Sequence, residues 1–169
     1  MSLVAAQAKA RQVLKDNYVL EPPVDVYEIA RNSGIRIVEM PFPDDYENVS
    51  GFINIEDGEP IMYVNETEPE NRRKFTVAHE LGHWLLHEQQ IRDDPQKAVL
   101  FRVALGKANK DPLEKEANAF AAELLVPMEF FERINDRKSQ QELANIFKVS
   151  AEVIGYRKVD LSHGKKPAK

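Results

Sequence analysis

The chain has 169 residues, of which 43% are hydrophobic, so it is long enough for one compact domain and short for two. A net charge of -5 disfavours non-specific binding to nucleic acid, no apolar run approaches the length of a membrane span, and the lack of cysteine excludes disulfides and thiolate metal sites. With no secretory signal in view, we expect a cytoplasmic protein without a membrane partner or a direct nucleic-acid partner.

The first third of the chain combines helix signals with short strands. An amphipathic helix is predicted from about Val4 to Tyr18, and a second helix starts with Asp25 as its N-cap. A glycine ends that helix, and the β-branched residues that follow predict a strand. Two further strands at 51–55 and 61–65 form a hairpin through Asp57-Gly58, which gives a small three-stranded sheet.

Residues 79–83 read His-Glu-Leu-Gly-His, a pattern typical of zinc hydrolases. Two histidines four apart lie one turn above each other on the same face of a helix, so His79 and His83 can bind one ion. Glu80 is next to the first ligand and cannot easily join the same coordination sphere, but it can reach a water molecule at the open position. The pattern therefore predicts Glu80 as a general base. The alternative is a helix whose histidines are only solvated or hydrogen-bonded in the core.

The surrounding residues indicate that this motif lies inside a helix. Thr67 and Glu70 have the spacing of a capping box, and apolar residues recur at helical intervals after them. Gly82 is unfavourable in a helix interior, which suggests that a neighbouring chain segment needs the space. His87 continues the histidine face, and we interpret it as a group that supports the ligands or faces the substrate, or else as a structural residue.

A catalytic zinc usually takes three protein ligands, and a second helix can supply the third. Asp111 as N-cap and Pro112 at the first position predict where that helix begins. Three of its glutamates compete for the role. Glu114 has the spacing of a capping partner, Glu123 projects further from the apolar stripe, and Glu116 lies on the border of that stripe. We choose Glu116, although geometry alone leaves the other two open.

The stretch between Ile91 and Asp111 has the least clear pattern, because its apolar residues fit either a strand or a short buried helix. We expect a loop-rich crossover that helps to form the wall of the cleft.

The C-terminal quarter, at about 139–161, has the pattern of a helix-turn-helix-like hairpin within the single domain 1–169. Such a unit can read DNA with its second helix, or it can simply pack against the rest of the domain. We favour packing, because Lys148 stands where the turn often has glycine. In addition, Arg157 and Lys158 are the only obvious basic contacts on the second helix.

Two strings resemble the signature blocks of the ImmA/IrrE metallopeptidases, namely RRKFTVAHELGHWLLH from Arg72 to His87 and EANAFAAELLVP from Glu116 to Pro127. The similarity extends in outline from about Pro22 to about Leu161. In that family the glutamate before the Ala-Asn pair completes a His-His-Glu site, which corresponds here to Glu116. Val126 replaces the usual methionine. The resemblance implies a bacterial zinc endopeptidase that cleaves a helix-turn-helix repressor and thereby relieves repression after stress.

The sequence as a whole predicts an α+β fold, a mainly helical bundle with a small three-stranded sheet and a Zn²⁺ site between two helices. The predicted metal ligands are His79, His83 and Glu116, and the predicted catalytic base is Glu80.

Two alternatives remain at this point. The chain could be a non-enzymatic regulator that binds DNA or a protein and holds a structural zinc, in which case a fourth protein ligand is expected. The group that stabilises the oxyanion is also open, with Tyr63, His87 and Arg73 as candidates by chemistry.

Overall fold

The computed structural model describes residues 2–46, 48–93 and 111–164. Within these ranges the chain forms seven α-helices and three β-strands, which confirms the predicted α+β fold. The helices are α1 (Leu3–Asp16), α2 (Val26–Asn32), α3 (Glu70–Asp93), α4 (Pro112–Leu125), α5 (Met128–Ile134), α6 (Gln140–Phe147) and α7 (Ala151–Gly164). The strands are β1 (Arg36–Met40), β2 (Gly51–Glu56) and β3 (Glu59–Asn65). The crossover predicted between Ile91 and Asp111 falls mostly on residues 94–110, outside the described ranges.

α1 and α2 both begin at a side-chain cap, and the cap predicted at Asp25 forms. α1 begins after Ser2, whose side chain accepts a hydrogen bond from the Ala5 amide. α2 begins after Asp25, whose carboxylate accepts from the Glu28 amide at 3.0 Å.

None of the helices in the described ranges is long and apolar enough to cross a bilayer.

The sheet has the strand order β1-β3-β2 and mixed pairing, with β1 parallel and β2 antiparallel to β3. The β2–β3 hairpin turns through Asp57 and Gly58, both at positive φ (51° and 85°). Positive φ at both central residues matches the right-handed twist of the strands, and this is why Asp-Gly is a strong hairpin signal. β3 leads directly towards α3, so the sheet fixes where the motif helix begins.

α3 and α4 pack closely against each other at the centre of the molecule. A Cβ atom built on Gly82 would lie 3.0 Å from the Phe120 ring and 3.3 Å from the Ala117 carbonyl oxygen. This confirms that a neighbouring segment needs the space at Gly82. The capping box predicted for α3 does not form, because the Thr67 hydroxyl donates to Asn65 Oδ1 and the Glu70 carboxylate accepts from Lys74.

α6 and α7 are consecutive helices that pack against each other as a hairpin. Ser139 and Glu142 make a full capping box at the start of α6, and Lys148 takes the left-handed conformation in the turn, with φ 56°. Arg157 on α7 is fully buried and pairs through Nη2 with Glu123 Oε2 of α4 at 2.5 Å. Arg157 is therefore part of the core of the domain.

Replacing Arg157 by methionine is expected to destabilise the protein by about 3–5 kcal/mol, because Glu123 would keep a buried charge without its main partner. The free energy of unfolding, measured with urea, checks this. Lys158→Met on the same helix is the control, with an expected change within about 0.5 kcal/mol.

The double variant Arg157→Met/Glu123→Met tests the cause. Removing both charges is expected to recover much of the lost stability, since an apolar pair often replaces a buried ion pair at little cost. A single variant as stable as the wild type would contradict the structural role of the pair.

Candidate metal centre

The two motif histidines and one glutamate of α4 point at a common position. His79 Nε2 and His83 Nε2 are 3.0 Å apart. Glu114 Oε2 lies 3.2 Å from His79 Nε2, and Glu114 Oε1 lies 3.0 Å from His83 Nε2. One ligand atom from each side chain lies within 4.8 Å of the other two, so the three can surround a single ion. Two imidazoles and one carboxylate form a donor set typical of catalytic zinc.

The structure places Glu114, and not Glu116, beside the two histidines. Glu116 Oε2 lies 2.9 Å from His87 Nε2 instead. The reason is that Asp111 caps α4 through the Leu113 amide, while both carboxylate oxygens of Glu114 face the histidines. Glu114 therefore faces the histidines in place of the capping role that the sequence predicts for it.

Asn118 lies one turn after Glu114 on α4, on the same helix face. Its Oδ1 is 2.9 Å from His79 Nδ1, so it can accept the ring proton and leave Nε2 free for a metal. The spacing Glu114-x-x-x-Asn118 is visible in the sequence. This spacing could have identified Glu114 and Asn118 from the sequence. One helix can place a metal ligand and a side chain that orients another ligand on the same face, one turn apart.

Burial and the two histidines shift the pKa of Glu114 in opposite directions. Burial raises the pKa of its carboxyl, but hydrogen bonds and charge interactions with His79 and His83 lower it more, and the net pKa is well below the usual range. A carboxylate that stays ionised is the form that can bind a cation.

A cleft of about 290 Å³ opens beside His79 and is lined in part by Glu80, which is only 2% exposed. The cleft is lined by Asn48, Val49, Ser50, Gly51, Arg72, Phe75, Thr76, His79, Glu80 and Asn118. Glu80 thus lies on the same cleft wall as a candidate ligand, which is the position that a general base needs. A wider hollow of about 510 Å³ between α2, β1 and α3 is lined by neither Glu80 nor a candidate ligand.

The three side chains considered for the oxyanion have other partners. Tyr63 donates to Glu56 at 2.6 Å, and this hydrogen bond raises the pKa of Tyr63. Arg73 pairs with Glu39 at 3.0 Å, and His87 contacts Glu116. None of the three lines the cleft, whereas Arg72 does.

The chain matches the model of a known protein family over most of its length. The model of the Peptidase M78 family, described as the IrrE N-terminal-like domain, matches residues 30–158. The chain belongs to this family. The match covers both α3 and α4, so the candidate centre lies within the shared domain, and the resemblance to ImmA/IrrE metallopeptidases is confirmed.

Two curated relatives of this Peptidase M78 chain come from bacilli and their phages. One is "Uncharacterized immunity region protein 2" of Bacillus phage phi105, 30% identical over 60% of the chain and 58% of the relative. The other is "Metallopeptidase ImmA" of Bacillus subtilis (strain 168), 29% identical over 60% of the chain and 54% of the relative. The aligned part is therefore little more than half the length of each relative.

The fold of the M78 chain also matches a solved structure, described as "Mycobacterium tuberculosis transcriptional regulator". The TM-score is 0.63 at 19% identity, over 92% of this chain and 46% of that one. At this identity the likeness shows a shared fold.

Proposed function

We propose that the chain is a zinc-dependent endopeptidase in which His79, His83 and Glu114 bind the metal and Glu80 is the general base. The observation that carries this proposal is the convergence of the three ligand atoms next to a cleft that contains Glu80. Membership of a metallopeptidase family and the name of the Bacillus subtilis relative support it.

Bound zinc would polarise the scissile carbonyl and lower the pKa of a bound water towards about 7. Glu80 takes the proton of the attacking water and returns it to the leaving amine, so no covalent intermediate with the protein is needed. Asn118 keeps the proton of His79 on Nδ1 and thereby orients the imidazole. Arg72, on the wall of the cleft, is a cation that can offset negative charge developing on the substrate.

We propose that the substrate binds as an extended peptide along the sheet edge. Among the strands of the described residues, β2 is an edge strand of the sheet, and Gly51 at its start lines the cleft. A peptide backbone can add to such an edge through main-chain hydrogen bonds, with its scissile bond facing Glu80.

The substrate that we propose is a helix-turn-helix transcriptional repressor in the cytoplasm, cleaved in response to stress. The family resemblance suggests this class of substrate. We also propose that the α6–α7 hairpin packs against the domain and does not bind DNA, since Arg157 is buried.

The test is incubation of the chain with the repressor encoded next to its own gene, followed by mass spectrometry of the products. Cleavage at one defined bond is expected with zinc, none after chelation, and renewed cleavage when zinc is added back. Tight binding of the repressor without cleavage under any of these conditions would instead favour the regulator with a structural zinc.

A further inference from the structure

His87 lies between a candidate ligand and a buried carboxylate. Its Nδ1 is 3.3 Å from His83 Nδ1, and its Nε2 is 2.9 Å from Glu116 Oε2. The three side chains are nearly inaccessible to solvent, with residue exposures of 6% for His83, 6% for His87 and 3% for Glu116. They form a continuous line from the candidate metal position into the α3–α4 interface.

The positions of the protons follow from this geometry. His83 Nε2 faces His79 Nε2 and Glu114, so in the metal-bound form it is the metal-binding nitrogen and the ring proton is on Nδ1. His87 Nδ1 must then accept that proton in a hydrogen bond, which leaves the proton of His87 on Nε2. This second proton is donated to the Glu116 carboxylate. Every hydrogen bond in the line has one donor and one acceptor.

From this arrangement we propose that His87 and Glu116 are positioning residues for the metal centre, which fix the ring orientation and the tautomer of His83. This inference rests on the proposed function, because it takes His83 as a metal ligand. Glu116 acts through His87 and does not itself touch the ion. Supporting partners of this kind hold metal-binding imidazoles in many proteins.

Two further observations support this role. The backbone of α3 departs from helical geometry at His87, with φ -131° and ψ 21°, at the position where the ring contacts both neighbours. The other ligand histidine is held in the same way from the same helix, since Asn118 of α4 contacts His79 Nδ1. α4 therefore provides one ligand, the acceptor for His79, and the carboxylate that holds His87 against His83.

The experiment measures metal binding. Zinc affinity is determined by competition with a chromogenic chelator for the metal-free wild type, Glu116→Gln and the double variant His87→Phe/Glu116→Gln. The double variant keeps a ring at position 87 and leaves no buried charge unpaired. We expect its zinc affinity to fall about 10- to 100-fold, with a smaller loss for Glu116→Gln. The absorption bands of bound Co²⁺ should also shift, because the ligand field of His83 changes.

Trp84→Phe is the matched control, a buried aromatic residue on the same helix whose ring stacks under Arg92. It should leave both the zinc affinity and the cobalt spectrum unchanged. A folded double variant with wild-type affinity and spectrum would overturn the proposal. If the double variant does not fold, Glu116→Gln decides alone, and wild-type affinity with an unshifted spectrum would overturn the proposal.

These measurements do not depend on peptide cleavage. A wild-type chain that binds zinc but cleaves no repressor would defeat the proposed function and leave the role of His87 and Glu116 standing. A wild-type chain that binds no zinc would overturn both.

Discussion

Replacing Glu80 by glutamine should reduce the rate of peptide cleavage by about 10²- to 10⁴-fold, while zinc remains bound. Glutamine keeps the size and the hydrogen-bonding shape of the side chain but removes the basic carboxylate. Because His79, His83 and Glu114 are unchanged, the metal content should stay at the wild-type level. Single-turnover cleavage of the repressor, together with metal analysis of the same sample, checks both parts of the expectation.

Glu88→Gln provides the control for this variant. Glu88 is on the same helix, but it is half-exposed and pairs with Arg92, away from the cleft. Its replacement should leave the cleavage rate unchanged. Near wild-type cleavage by Glu80→Gln with zinc bound would remove Glu80 from the mechanism and require another base.

Replacing Glu114 by glutamine should weaken zinc binding by more than about 100-fold. Loss of a residue that only supports a ligand is expected to weaken binding by about 10- to 100-fold, and Glu114 is itself a ligand. The neutral amide is a much poorer ligand than the carboxylate, and it would face two imidazole nitrogens. Metal content after dialysis and zinc affinity by chelator competition measure the effect.

Glu116→Gln is the matched control, since Glu116 is buried on the same helix and lies two residues further on. It should keep its zinc after dialysis, with only a moderate loss of affinity. The opposite pattern, with zinc lost from Glu116→Gln and retained at full affinity by Glu114→Gln, would restore the ligand that the sequence predicts.

The sequence predicts the local features of this site well. The four-residue spacing of His79 and His83 on one helix face follows from helix geometry alone, and the structure brings their Nε2 atoms together. The local cap signals at Asp25 and Asp111 also agree with the structure, whereas the capping box predicted at Thr67 and Glu70 does not form. Each of these features depends on residues within one turn of each other.

Features that depend on contacts between distant segments are predicted less well. Glu114 and Glu116 are both buried glutamates on α4, and only the packing of α4 on α3 determines which of them meets the two histidines. Arg157 gives a similar case. In the sequence it resembles a surface cation on a helix, but α4 places Glu123 against it and makes it a core residue.

The contact at Gly82 has a consequence for the dimensions of the metal centre. Gly82 lies between the two histidines, and the missing side chain lets the backbone of α4 approach α3 at Ala117. The distance between α3 and α4 determines how close the Glu114 carboxylate comes to the imidazoles. Gly82 has no functional group, yet its lack of a side chain helps to set the distance between the Glu114 carboxylate and the two imidazoles. Backbone contact therefore determines the size of the metal site together with the length of the flexible side chains.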